Sequence, residues 1–469
     1  MKRFLAARAA SRWHPGTACR PRSAPVTIDT PPPAAMVPRM APNRSLIAAI
    51  KPYFEAGPLG ALALGMASGT PYAMIAATLT TRLAESGIEK KSVTAFGLAL
   101  LVYSFKPLWA PLIDRARIPV LADMIGQRRA WLVVSIIMAS AAITWLGMLD
   151  PTADLALFAA AAVAVGFAGA TLDIVVDAIR IEWLRTDQMG AGSGMTQYGW
   201  RMGSYLAGAG ALLLAANGGW ALAYASAMLL FAPSLLAAAL LGEPERPPAA
   251  SSGKGLAAAV RDGIIAPLAD FLRRKGAWIV LGFVLVHKIG DTVCQLSVRL
   301  FYNDLGFTKE EVALYDVSLG LVGYLAGVFL GGLLYKRLGL AGSVFLSLLL
   351  MGVSNAAYAG LAIVGHDVWA LAAVQGFENL ASGIGGVTVG TWLALLCDRR
   401  FTATQFALLS SAAAILGRAF SSGTAGALIE SLGYVDFYWL TTVLALPGVV
   451  IFVWLWRAGL VVADDDVAT

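Results

Sequence analysis

From residue 59 onward the chain alternates long apolar blocks with short polar breaks. About 20 residues span the hydrocarbon core of a bilayer as helix. Blocks of that length recur at 59–80, 92–113, 130–149, 155–178, 195–217 and 220–241. After a break they return at 277–300, 312–335, 340–364, 368–396, 402–426 and 433–458. The pattern predicts a first six-helix half over 51–241 and a second over 276–458. The segment between them, 242–275, opens as GEPERPPAASSGKG and reads as a cytoplasmic linker. Its later part, AAAVRDGIIAPLADFLRRKG, has the pattern of an amphipathic surface helix.

The two ends differ from the blocks. Residues 1–50 are rich in Arg and Pro and hold no apolar run, whereas a secretory signal needs about 7–15 apolar residues. They read as a disordered cytoplasmic tail, with Met36 and Met40 as alternative starts. Residues 459–469 form a short second tail.

Composition agrees with a bilayer as solvent. Charged residues make up 14% of the chain against about 25% in soluble proteins, and the mean hydropathy is +0.70. Too little polar surface is left to cover a water-soluble globule. The 49 glycines suit helices that approach closely within a membrane. Cys19, Cys294 and Cys397 are far apart, without disulfide or metal spacing, and no P-loop is present. No cofactor or metal is expected, and ATP hydrolysis by this chain is excluded. The net charge of +6 resides mostly in short loops, which argues against nucleic acid as a partner.

Loop charge predicts orientation, because Lys and Arg accumulate in cytoplasmic loops. With the N-terminus inside, the five inner loops carry four, two, six, two and two basic residues, sixteen in all. The outer loops carry four: Arg82, Lys90, Lys91 and Lys309. Arg299, in the last turn of span 7, raises that count to five at most. Both termini are therefore expected in the cytoplasm.

An ionised side chain within a span costs at least about 2.5–3.5 kcal/mol, so it calls for a partner, a wet cavity or a function. Span 7 holds HKIGD (287–291), in which Lys288 and Asp291 lie three apart on one helical face. They read as a midplane binding and proton-coupling pair, or else as a self-neutralising ion pair. Glu378 and Asn379 sit near the middle of span 10, where a buried carboxylate can carry a proton and an amide can bond sugar or peptide groups. Asp173 and Asp177 share a face of span 4, followed by Arg180 and Glu182. The two aspartates read as a proton site or as a gate with the arginines after span 2. Lys106 and Arg418 are cations at depth, available to a substrate carboxylate or to Asp173 and Glu378. Arg201 is expected at the interface. Tyr72, Trp109, Tyr198 and Trp392 are candidates for stacking on sugars, with packing as the alternative.

Asp114 and Arg115 (PLIDR) with Arg128 and Arg129 (GQRR) form a stretched version of a known pattern. It resembles the motif between spans 2 and 3 of the major facilitator superfamily, with about ten residues inserted. The GGLLYKRLG segment (331–339) is a looser counterpart at the end of span 8. Six spans, a linker and six spans are likewise the plan of that superfamily.

Six segments in register sharpen the resemblance: FKPLWAPLIDR (105–115), GQRRAWL (126–132), DIVVDA (173–178), HKIGD, FENLASGIG (377–385) and TATQFALLSS (402–411). Together they resemble the AmpG-type muropeptide permeases of Gram-negative bacteria, from about residue 58 to 458. Leu172 departs from the Gln expected before the first aspartate of span 4. The resemblance implies an inner-membrane symporter that imports anhydromuropeptides (GlcNAc-anhydroMurNAc peptides) with protons for cell-wall recycling. It implies a monomer in the lipid bilayer whose partners are that small molecule and protons. Lys106, Asp173, Asp177, Lys288, Asp291, Glu378, Asn379 and Arg418 would serve substrate or proton. Asp114, Arg115, Arg128, Arg129 and Arg180 would serve the gate. Related importers of siderophores or acetyl-CoA are the alternative. A membrane enzyme of the prenyl transferase kind would use Asp173 and Asp177 for metal–diphosphate, but the second acidic motif it needs is missing.

Overall fold

The computed structural model describes residues 49–89, 96–245 and 265–461, without the side chains of 77, 97, 98, 296, 309, 313 and 414–424. The N-terminal tail, most of the linker, residues 462–469 and the Arg418 side chain lie outside the described residues. Every regular element among the described residues is helical.

Apolar length is enough to make helices here, because a backbone in lipid must satisfy its own hydrogen bonds. In the first half α1 spans Ala56–Glu85, with a break at Ala76. The second crossing, α2, is a 3-10 stretch Phe96–Leu108 followed by the helical turn Ala110–Arg115. Pro107 and Pro111 remove two backbone donors there, so a regular α ladder cannot run through. Helices α3 (Gln127–Met148) and α4 (Leu155–Trp183) follow, then α5 (189–218) and α6 (220–241). In the second half α7 is split into Ala277–Val286 and Ile289–Asp304. Next come α8 (312–338, opening with a π-helical turn), α9 (340–364), α10 (Val368–Leu395), α11 (402–432) and α12 (434–457).

Three pairs of crossings are joined without a loop. Gly219, Gly339 and Gly433 have φ of 78°, 71° and 76°, a left-handed backbone that favours glycine. Each turn therefore falls where a single residue permits reversal. Twelve crossings bring the described chain back to the end where it began.

The first half packs around α4, with Phe158, Val165, Leu172 and Ile179 fully buried among residues of α1, α3 and α6. The second half has two clusters, one around Phe283, Trp392 and Phe452 and one around Phe301, Tyr358 and Tyr438. Helices α1 and α5 touch backbone to backbone: a Cβ on Gly199 would lie 1.9 Å from the Leu62 carbonyl oxygen, and one on Gly65 2.2 Å from that of Thr196. Large apolar side chains such as Leu213, Leu229, Leu240, Ile363 and Val450 point outward, as a lipid-facing surface requires.

Candidate functional site

The site divides into a latch at the arginine-rich end of the bundle, a half-buried charge cluster in the first half, and a cavity in the middle.

Arg128, in the first turn of α3, is fully buried. Its Nη2 donates to Asp114 Oδ1 at 2.8 Å and to Glu182 Oε1 at 2.6 Å. Two carboxylates against one guanidinium leave a negative charge to compensate. Asp114 meets it by reaching the other half of the molecule. Its Oδ2 accepts from Thr404 N at 2.8 Å and Thr404 Oγ1 at 2.6 Å, and its Oδ1 from Ala403 N at 3.2 Å. Those amides belong to the first turn of α11, where four backbone N–H groups lack helical partners and the helix dipole favours an anion. Arg129 takes part through its backbone: Glu243 accepts from the N–H groups of Arg128 and Arg129 at 2.8 and 3.1 Å, capping α3 from the start of the linker. The Arg115 guanidinium lies 5.9 Å from the centre of the Phe401 ring, again across the halves.

More contacts between the halves gather at this end. Tyr53 Oη donates to the Phe329 carbonyl, Tyr335 Oη to that of Thr186, and Lys336 pairs with Asp187 at 3.3 Å. Glu55, at the start of α1, accepts from Gln188 and pairs with Arg185 at 2.9 Å. The Gln188 hydrogen bond first, then Arg185, holds the Glu55 carboxyl below its ordinary range. In the loop after α10, Arg400 clasps Asp398 at 2.7 Å and Asp270 of the linker helix Ala266–Leu272 at 3.1 Å. Hydrogen bonds from Arg400 hold the Asp398 carboxyl low as well.

Asp173 and Asp177 do not meet the arginines after span 2. Lys106 Nζ lies 2.7 Å from Asp173 and 3.8 Å from Asp177, so it is not a lone cation. Ser68 donates to Asp173 at 2.7 Å, and Arg180 donates to Asp177 at 2.9 Å. Two buried cations thus balance two half-buried carboxylates. Arg180 connects this cluster to the other half: its guanidinium stands 5.0 Å from the Phe406 ring centre, and its Nη1 lies 3.4 Å from Ser193 Oγ. Ser193 Oγ in turn accepts from Thr391 of α10 at 3.0 Å.

Phe406 and Leu393 also line the central cavity, which has a volume of about 610 Å³. Its wall also carries Arg201, Lys288, Asp291, Gln295, Glu378 and Asn379. The HKIGD segment departs from the expected helical face, because α7 is interrupted at His287 and Lys288. His287 Nδ1 lies 2.9 Å from the Val284 carbonyl oxygen, and carbonyls only accept, so this nitrogen carries hydrogen. Helix α12 fits against the interruption through Gly448 and Gly290, where a Cβ would lie 2.7 Å from His287 Cα and 2.3 Å from the Thr441 carbonyl oxygen. Lys288 becomes the cap residue of the outer half-helix, and Asp291 lies in its first turn. No ion pair joins them among the described residues. Both still face the cavity, and Asp291 Oδ1 is a buried oxygen without a hydrogen-bond partner. Glu378 accepts from Ser382 at 2.7 Å, and Asn379 donates to Gln375 Oε1 at 3.1 Å.

The proposed stacking aromatics are packed elsewhere. Trp392 is buried against Phe283 and Phe452, Trp109 donates to Thr171, Tyr72 sits against Tyr103 and Trp200, and Tyr198 donates to the Leu325 carbonyl. The aromatics on the cavity wall are Phe406 and Tyr324, and the Tyr324 hydroxyl donates to Gln197. Arg201 is not interfacial. Helix α5 begins at Met189 rather than 195, which places Arg201 about 18 Å along it at 1.5 Å per residue. The polar run QMGAGSGMTQ hides that start, and only its small residues hint at a helix packed inside protein. Ser68, Glu243, Thr404 and Gln295 escape sequence reasoning too, since a single polar residue in a span or loop carries no partner's address.

A family profile described as Major Facilitator Superfamily matches residues 59–287. The chain is 34% identical over 392 residues to the anhydromuropeptide permease of Escherichia coli K12, covering 83% of this chain and 78% of that one. It is 30% identical over 394 residues to putative transporter AmpG 4 of Rickettsia conorii, covering 84% and 94%. Among solved structures, a proton:xylose symporter superposes with a TM-score of 0.59 at 14% identity, covering 87% of this chain and 96% of that one. The fucose:proton symporter of E. coli does so with a TM-score of 0.59 at 16% identity, covering 87% and 99%. These two likenesses establish the fold alone.

Proposed function

The chain belongs to the AmpG-type permeases of the major facilitator superfamily, a family of membrane transporters rather than enzymes, and on that premise we propose that it imports anhydromuropeptides with protons. The observation that carries the reading is the central cavity, which presents two cations, Arg201 and Lys288, and two carboxylates, Asp291 and Glu378. A sugar–peptide ligand offers carboxylates to the first pair and hydroxyls and amides to Gln295, Asn379 and Ser382. Asp291 and Glu378 are the proton carriers in this scheme, since neither is neutralised by an ion pair among the described residues.

The basic-loop count supports an arginine-rich end in the cytoplasm, with both termini there and the protein in the inner membrane. The latch of Asp114, Arg128 and α11 then closes the cytoplasmic side, and substrate enters from the periplasm. Protonation and loading of the cavity favour rocking of the halves about the middle, which is how transporters with midplane sites alternate access. Release of Asp114 from α11 opens the inner side. The Lys106–Asp173–Asp177–Arg180 cluster acts as the coupling element, because Arg180 reaches the cavity wall through Phe406. The carrier works as a monomer.

Uptake in a permease-deleted Gram-negative strain tests the substrate. Cells expressing this chain should accumulate labelled anhydromuropeptide and not a labelled ferric siderophore. A siderophore signal alone overturns the assignment.

A further inference from the structure

Arg201 is the ionised side chain that the first half contributes to the lining of the cavity; Lys288, Asp291 and Glu378 all come from the second. Its guanidinium stands 4.4 Å from the centre of the Tyr324 ring on α8 and 5.5 Å from that of its neighbour Trp200. The platform is itself shared between the halves. Tyr324 is tied through its hydroxyl to Gln197, one turn before Arg201 on α5. Helix α5 has little freedom to shift, since a Cβ on Gly199 or Gly203 would come within 2.1 Å of a carbonyl oxygen of α1.

Arg201 has no ion-pair partner among the described residues, and its Nε is a buried donor without a hydrogen-bond acceptor. A guanidinium at this depth is expensive to keep. Stacking on Tyr324 orients its plane but satisfies none of its N–H groups. Arginine presents a planar fork that matches a carboxylate, and a fork held flat on a ring loses less freedom when it binds one. Asp291 and Glu378 share the cavity and do not pair with it, so the matching anion has to come from the ligand.

We propose that Arg201 is the carboxylate anchor of the substrate site, and that the ligand bridges Arg201 on the first half to Lys288 on the second. This rests on the importer reading above and specifies how its ligand is oriented. The acidic groups of the peptide lie toward Arg201, and the rest of the molecule lies along Gln295, Glu378 and Asn379. A ligand held by both halves draws them together, which links occupancy to closure.

The test uses the full chain in proteoliposomes with two labelled substrates, an anhydromuropeptide and the same compound with its peptide carboxylates amidated. Wild type should prefer the free acid by about 10–100-fold in KM, the range of a lost charge-assisted bidentate contact. Arg201→Gln should raise KM for the free acid by a similar factor, leave kcat within a few-fold, and lose the preference over the amide. Arg201→Lys, which keeps charge without the fork, should fall between them and serves if the Gln variant does not fold. Substrate quenching of tryptophan fluorescence, with Trp200 adjacent, reads binding without turnover. Unchanged KM and acid preference in folded Arg201→Gln overturns the anchor. If wild type carries neither compound, the importer reading fails, and the anchor fails with it.

Discussion

Asp114 accepts hydrogen bonds from Thr404 N at 2.8 Å and Thr404 Oγ1 at 2.6 Å, so a carboxylate of the first half caps the first turn of a helix in the second. The contact exists only when this end of the bundle is closed. Replacing Asp114 by Asn keeps the shape and removes the charge that favours the helix end. A carboxylate at a partly buried helix N-terminus contributes up to about 2 kcal/mol, or roughly 30-fold in an equilibrium. Asp114→Asn should therefore shift the population toward opening at this end. Spin labels on exposed positions of the loops after α2 and α10 should report longer distances in the variant.

Arg128 holds Asp114 and Glu182 together without access to water. Removing one member of a buried ionic set strands the others, at a cost of about 3–5 kcal/mol. Arg128→Met should thus lower the melting temperature strongly. The double variant Arg128→Met, Glu182→Met should regain part of that loss, since the stranded Glu182 charge is gone. Thermal unfolding of detergent-purified protein measures both.

The Lys106–Asp173 contact at 2.7 Å separates a structural pair from a working one. Lys106→Met should depress both stability and transport, because Asp173 loses its counter-charge. Lys106→Met with Asp173→Leu restores a balanced interior. Stability should recover while transport stays at least about 10-fold low, as a coupling element requires. Recovery of transport along with stability would assign the pair to packing alone.

Much of the scaffold is legible in sequence, and the reason is the bilayer. Apolar length and a basic excess in alternate loops are local properties of a segment, whereas the reversals at Gly219, Gly339 and Gly433 carry no mark that separates these glycines from the others. The latch was legible in its members, Asp114 and Arg128, but not in its receiver, because the α11 amides that Asp114 caps have no side-chain signature. Span 7 misled for a similar reason. Spacing puts Lys288 and Asp291 on one face only if the helix is continuous, and the interruption lies where α12 packs closely through Gly448, a contact with no signature in the local sequence. Arg201 lies within the bundle rather than at its edge because helix α5 extends six residues below its apolar block, to Met189.

Asp398 supplies a pH prediction outside the membrane. Arg400 holds its carboxyl below the ordinary value, so the clasp contributes stability above the unfolded-state pKa of about 3.9 and loses it as pH falls through the depressed folded value. Asp398→Asn should be less stable than wild type from pH 5 to about 8. The two melting curves should converge as pH drops below about 4. A gap independent of pH would show that the charge on Asp398 does not hold the linker helix.

The most direct measurement is uptake by purified protein in liposomes with an inward proton gradient. Labelled anhydromuropeptide should accumulate above its external concentration, a protonophore should abolish the accumulation, and Asp291→Asn or Glu378→Gln should impair it. Accumulation that ignores the protonophore, or no uptake of anhydromuropeptide by folded protein, would contradict the account.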